Sequence, residues 1–118
     1  MNKKFFINFS NHPSEKWEEK QMVASKEYGE IMDLPFPAVP AMASKPEVEK
    51  LAEDCVERLR KYNPAAVLCQ GEFTLTYQVV MRLKSYGIRV LAACSERKVI
   101  EEKGIKVVEF QFQQYREY

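Results

Sequence analysis

Polar and apolar positions fall into alternating blocks along the chain, and each block has a recognisable period. Residues 3–9, Lys-Lys-Phe-Phe-Ile-Asn-Phe, are aromatic and extended in character and predict a first strand. The run ends at Ser10-Asn11-His12-Pro13-Ser14, where Asn11 or His12 can cap a helix whose first turn carries Pro13. Residues 14–28 then read as a charged helix with Trp17, Gln21, Ala24 and Tyr28 on one narrow face, suited to the edge of a sheet. Gly29 ends it, and residues 30–34 predict a short second strand. Pro35, Pro37 and Pro40 impose an extended loop.

Ser44 and Glu47 form a capping-box pattern ahead of Val48, Leu51, Ala52, Cys55, Val56, Leu59 and Tyr62 at helical spacing. Asn63-Pro64 stops that helix. Residues 65–69 are continuously apolar, as in a strand covered on both faces. Gln70 to Thr74 turns the chain into a helix with Leu75, Val79, Val80, Leu83 and Tyr86 on its buried stripe, terminated by Gly87. Residues 89–94 predict another apolar strand, ending in a loop at Ser95-Glu96-Arg97-Lys98. Residues 99–101, a turn at Lys103-Gly104 and residues 105–112 predict a hairpin.

This alternation predicts an α/β fold, a Rossmann-like and mainly parallel sheet of about four strands with flanking helices and a C-terminal hairpin. The 118 residues suffice for one domain, 1–118, with its own core. Such sheets bind ligands beyond the carboxyl ends of their strands, at the switch point of strand order. Three loops meet that description: residues 8–14, 70–76 and 95–98.

Charge narrows the ligand. With 18 Lys and Arg against 17 Asp and Glu, the net charge is +1, so wholesale capture of long nucleic acid is not expected. Three cysteines in apolar segments and a single histidine offer neither a disulfide framework nor a zinc set at usual spacing. Three reduced core thiols are expected. No apolar run approaches membrane-spanning length and no signal h-region follows the N-terminus, so the cytoplasm is the expected compartment, with no membrane partner.

The three loops bring together Asn8, Ser10, Asn11, His12, Gln70, Gly71, Glu72, Phe73, Thr74, Thr76, Ser95, Arg97 and Lys98. Amides can read base edges, and hydroxyls and helix-start N–H groups suit phosphate. Arg97 and Lys98 add positive charge, and Phe73 can stack on a base. Each has a plainer role beside this. Gly71 can serve only a tight turn, Thr74 or His12 only a cap, and Phe73 only a staple of the helix start. The charged run at residues 15–20 reads as a solvated helix face. Gln70 follows a buried strand directly, so its amide must bond locally or face the crevice. No carboxylate pair stands at metal-ligand spacing, so neither metal nor cofactor is expected.

The ordered segments Phe6-Ile7-Asn8-Phe9-Ser10-Asn11-His12, Cys69-Gln70-Gly71-Glu72-Phe73-Thr74-Leu75-Thr76-Tyr77 and Cys94-Ser95-Glu96-Arg97, with the tail Tyr115-Arg116-Glu117-Tyr118, resemble small CRISPR accessory proteins. These are the short, ring-nuclease-like relatives of the CARF domain found beside type III systems. The resemblance implies a CARF-like homodimer that holds a cyclic oligoadenylate, most often cyclic tetra-adenylate, between its protomers. It further implies that the messenger is bound or cleaved to switch off type III CRISPR signalling in antiviral defence. Asn8, Ser10, Asn11, His12, Gln70, Gly71, Glu72, Phe73, Thr74, Tyr77, Ser95 and Arg97 carry over as site residues, without fixing which is catalytic.

The residues themselves suit that chemistry. RNA can be cleaved without a metal when its 2′-OH is aligned on the neighbouring phosphodiester. His12 and Glu72 are the acid–base candidates, and Arg97 and Lys98 can stabilise developing charge. Two other outcomes remain open: a pocket that only sequesters or senses the cyclic ligand, and a generic nucleotide-binding regulatory domain.

Overall fold

Parallel pairing begins with the aromatic run. The computed structural model describes residues 4–118 and places β1 at Phe5–Phe9; Lys3, the expected start, lies outside the described residues. β2 is Glu30–Asp33, β3 is Ala66–Cys69, β4 is Val90–Glu102 and β5 is Ile105–Glu117. The sheet order is β2-β1-β3-β4-β5. The first four strands are parallel and β5 runs antiparallel to β4. Strand order reverses between β1 and β3, the switch point at which such sheets leave a crevice.

Helices α1 (Glu19–Lys26), α2 (Lys45–Arg60) and α3 (Phe73–Ser85) cover the sheet. α2 and α3 lie on one face, where Val48, Ala52, Leu59, Leu75, Val79 and Leu83 pack against Ile7, Phe9, Val67 and Cys69. α1 lies on the other. There Phe6, Ala66, Leu68 and Leu91 form a smaller core with Trp17, Tyr28 and Tyr115. The capping box of α2 is present in full: the Glu47 N–H donates to Ser44 Oγ and the Ser44 N–H to the Glu47 carboxylate. Among the described residues, no helix is long and apolar enough to cross a membrane.

Two expectations are corrected. Residues 14–28 are not one helix: a 3-10 turn at Ser14–Lys16 is followed by extended backbone at Trp17 and Glu18, and only then by α1. The break has a cause on each side. The Ser14 N–H and hydroxyl both donate to Asp33 Oδ2, at 3.1 and 3.0 Å, while the Trp17 ring sits edge-on to Phe6. α1 then docks through polar atoms. Its one buried residue is Ser25, whose hydroxyl donates to the Gln21 carbonyl and lies 2.7 Å from the Tyr115 hydroxyl, and Gln21 Nε2 donates to that same hydroxyl.

The second correction concerns residues 95–98. They are not a loop but the middle of β4, which pairs with β5 as far as Glu102↔Ile105. β4 meets β3 only at Val90 and Leu91, so a two-stranded ribbon projects beyond the sheet. From Ser95 to Glu102 that is roughly 26 Å of strand. A bulge between Cys94 and Ser95 re-aims it. The turn at Lys103-Gly104 has φ of 54° and 78°, the left-handed pair a two-residue hairpin turn requires. The ribbon explains why the radius of gyration, 15.8 Å, exceeds the roughly 13.5 Å of a compact chain of this length.

Candidate functional site

The floor of the site is built where β1 ends. Asn8 is the strand's buried polar residue, 2% exposed. Its Nδ2 donates to the His12 carbonyl at 2.8 Å and to Asp33 Oδ1 at 3.0 Å, and its Oδ1 accepts from the Ser10 hydroxyl at 2.6 Å. The His12 N–H in turn donates to Ser10 Oγ. Asn8 and Ser10 therefore satisfy one another and fold residues 10–14 back over the strand end, with Asp33 as the second anchor.

β3 ends in a different device. The pairing of β3 with β4 stops at Leu68↔Leu91, and the Gln70 side chain continues it: Oε1 accepts from the Ala93 N–H at 3.0 Å. That bond fixes which end of the amide is oxygen. Among the described residues the NH2 end has no partner, which leaves both hydrogens for another acceptor. Gly71 is required by a close approach, because a Cβ there would stand 2.5 Å from carbons of the buried Phe36 ring. Glu72 is the N-cap of α3, its carboxylate accepting from the Thr74 N–H, the Thr74 hydroxyl and the Leu75 N–H.

Between these strand ends and the ribbon lies a crevice of about 730 Å³. Ser10, Asn11, His12, Gln70 and Ser95 line it, five of the residues singled out from sequence. Lys16, Trp17, Glu18, Gln21, Phe110 and Phe112 also line it. Trp17 had read as a helix-face packing residue, Lys16 and Glu18 as solvated charge, and the two phenylalanines as hairpin and tail. Their common signal is weak: they reach the crevice only because the helix breaks at Trp17 and the ribbon bends at its bulge.

The other candidates lie elsewhere. Phe73, 90% exposed, lines a separate, mainly apolar groove of about 490 Å³ with Thr74, Tyr77 and Val48, on the α2–α3 side of the sheet. Thr76 sits on α3 with a buried hydroxyl that has no hydrogen-bond partner among the described residues. Arg97 and Lys98 stand on the exposed ribbon; Arg97 pairs with Phe110 and so shares its face, whereas Lys98 is on the opposite face with Glu109. Among the described residues, no three His, Cys, Asp or Glu side chains converge as metal ligands. The three thiols are free, and burial pushes Cys69 up to about 12, which keeps it protonated.

Glu72 behaves as a cap in its titration too. The Thr74 hydroxyl bond, with smaller help from the Leu75 and Thr74 N–H groups, holds its carboxyl below the usual range. A lowered folded pKa means stability present above the unfolded value and lost as pH falls through the folded one. Glu72→Gln is expected to lower the unfolding free energy by about 1 kcal/mol at pH 7. In urea titrations the gap between the two proteins should narrow between pH 7 and pH 3; an equal gap at both pH values would remove the charged cap from the account.

The arrangement defines a small doubly wound α/β protein with an aromatic-walled polar crevice at its switch point. The chain belongs to the uncharacterized protein MJ1673 family, which it matches over residues 4–116. No curated protein matches it.

Proposed function

We propose that the crevice binds a cyclic oligoadenylate, with cyclic tetra-adenylate the first ring to test, and that the chain cleaves it by metal-independent chemistry, as a CARF-like ring nuclease of type III CRISPR signalling would. The observation that carries the reading is the Gln70 amide, locked by the Ala93 N–H and lining the same crevice as the Trp17 ring. A free NH2 donor matches the ring nitrogens of adenine, and flat aromatic walls suit base stacking. Asn11 adds an amide, and Lys16, which lines the crevice, is the cation for phosphate. Partnership is with a second copy of the chain.

In the cleavage step the ribose 2′-oxygen attacks the adjacent phosphorus and the bond to the 5′-oxygen breaks. The proton leaves the 2′-OH, the 5′-oxygen gains one, and a 2′,3′-cyclic phosphate and a 5′-OH remain. His12 and Glu18, both lining the crevice, are the proton-transfer groups. Glu18 takes the part the sequence reading gave to Glu72, whose carboxylate is occupied at the start of α3. A second reading, binding without turnover, is favoured by one observation: among the described residues no hydrogen bond orients the His12 imidazole, which is exposed.

The test is a binding and cleavage screen against cyclic oligoadenylates of several ring sizes, with ATP as control. Gln70→Glu retains the acceptor for Ala93 but loses the donor, and should weaken binding by at least about tenfold with an unchanged melting temperature. His12→Ala should leave binding intact and slow cleavage by about 10²-fold or more. Product should form in EDTA. Equal affinity for ATP and every ring would sink the cyclic-ligand reading. Activity lost in EDTA and restored by magnesium would overturn the metal-free step, and tight binding without product would select the second reading.

A further inference from the structure

Every residue of the ribbon from Ser95 to Phe110 is exposed, yet its sequence is not that of a solvated hairpin. Val99 is 51% exposed, Val108 44% and Phe110 68%. Directly paired residues of an antiparallel ribbon share a face. The pairs Ser95/Phe112, Arg97/Phe110, Val99/Val108 and Glu101/Lys106 therefore make one face. Phe110, Phe112 and Ser95 line the crevice, so this is the crevice side. The pairs Glu96/Gln111, Lys98/Glu109, Ile100/Val107 and Glu102/Ile105 make the opposite face, which is polar at its base. Only the crevice side carries apolar side chains without a break from the buried Phe112 outward to Val99 and Val108. A two-stranded ribbon is marginal in water without a third layer, and the described residues of one copy supply none here.

We propose that two copies of this chain pair through the crevice-side face of the ribbon, arm on arm and antiparallel, about a two-fold axis at Val99/Val108. The pattern of that face is what selects a second copy. Arg97 lies one rung inward of Val99/Val108 and Glu101 one rung outward. A two-fold axis at the middle rung sets Arg97 of each copy against Glu101 of the other, twice, and Val99/Val108 against itself. Phe110 meets Lys106 in the same way, a cation over a ring. From Ser95 to Phe110 the ribbon holds four basic and four acidic residues. Self-association therefore meets no net repulsion, whereas a nucleic acid or an anionic membrane would ask for a basic excess.

The pairing goes beyond the ligand reading and does not depend on it. Because the contacting face is the crevice wall, antiparallel arms bring the turn at residues 103–104 of each copy beside Ser95 and Phe112, at the mouth of the other copy's crevice, so each crevice is bordered by both copies.

Sedimentation velocity without ligand tests the arm by itself. The wild-type chain should run at twice the monomer mass at micromolar concentration. Val108→Glu, on the crevice side, should weaken the dimer at least about tenfold, and Val107→Glu, on the other face, should leave it within twofold. Arg97→Glu should weaken it similarly by setting two carboxylates together. The double variant Arg97→Glu with Glu101→Arg should restore it, a rescue no folding defect would yield. A wild-type monomer, a dimer broken by Val107→Glu but not by Val108→Glu, or a failed rescue would each overturn the proposal. Cyclic oligoadenylate binding by a monomeric wild type would overturn it while leaving the ligand assignment standing; arm pairing without such binding would do the reverse.

Discussion

Asn8→Asp exchanges one NH2 for an oxygen and is expected to destabilise the protein by about 3–5 kcal/mol at neutral pH, more than Asn8→Ala. The reason is the direction of the bonds. Nδ2 is a donor to both the His12 carbonyl and Asp33 Oδ1, and a carboxylate donates to neither. It would also set a buried negative charge about where Nδ2 now stands, 3.0 Å from Asp33 Oδ1. Burial and the like charge both raise the introduced carboxyl's folded pKa above its unfolded value. Such a group is tolerated while protonated, so stability relative to wild type should return as pH falls below that raised pKa and be lost as pH rises through it. Urea midpoints of both proteins at pH 7 and pH 5 would show this. A deficit of the same size at both would mean that Asn8 contributes shape rather than donors.

Phe6→Ala should cost about 3–5 kcal/mol, a large part of the 5–15 kcal/mol that holds a domain of this size together. Phe6 is fully buried, and its ring meets Tyr115 at 5.3 Å, Tyr28 at 5.7 Å and Trp17 at 6.3 Å between centroids. Leu83, fully buried on the sheet-facing side of α3, is the matched comparison on the other face of the sheet, with an expected cost of about 2–5 kcal/mol for Leu83→Ala. The two should differ in what else they change. Phe6 supports Trp17, a wall of the crevice, so Phe6→Ala should weaken ligand binding in the folded protein at least about tenfold, while Leu83→Ala should leave it near wild type. Binding measured well below both melting points decides; equal losses would mean that Trp17 does not depend on Phe6 for its place.

How far the fold could be read from the sequence follows from where each element buries itself. α2 carries a capping box and an unbroken apolar stripe, and β3 is apolar on both faces because helices cover both. α1 gave no comparable signal, because it docks through Ser25, Gln21 and the Tyr115 hydroxyl, and hydroxyls and amides have no apolar period. The outer half of β4 was hidden for a related reason. Ser95-Glu96-Arg97-Lys98 has solvent on both sides, so its alternation points to no core and four polar residues in a row look like a loop. In the site, Gln70 was legible because an amide directly after a buried strand must find a partner. Trp17, Glu18 and Phe110 were not, since what brings them to the crevice is a helix break and a strand bulge, both set by tertiary contacts. Glu72 looked like chemistry and is a cap, because the first N–H groups of a helix compete for any nearby carboxylate.

The polar attachment of α1 sets an order among the ways the molecule can open. Separating α2 or α3 from the sheet exposes the larger apolar core, but lifting α1 exposes one buried serine and breaks a few hydrogen bonds that water can replace. Native proteins open first where the free-energy cost is lowest. Here that place is α1 with its N-cap, which bring Gln21 and Glu18 to the crevice. The ring-shaped ligand proposed above would therefore enter through a local excursion of one short helix while the rest of the sheet stays closed, and by mass action contacts with those residues would then raise the cost of the same excursion.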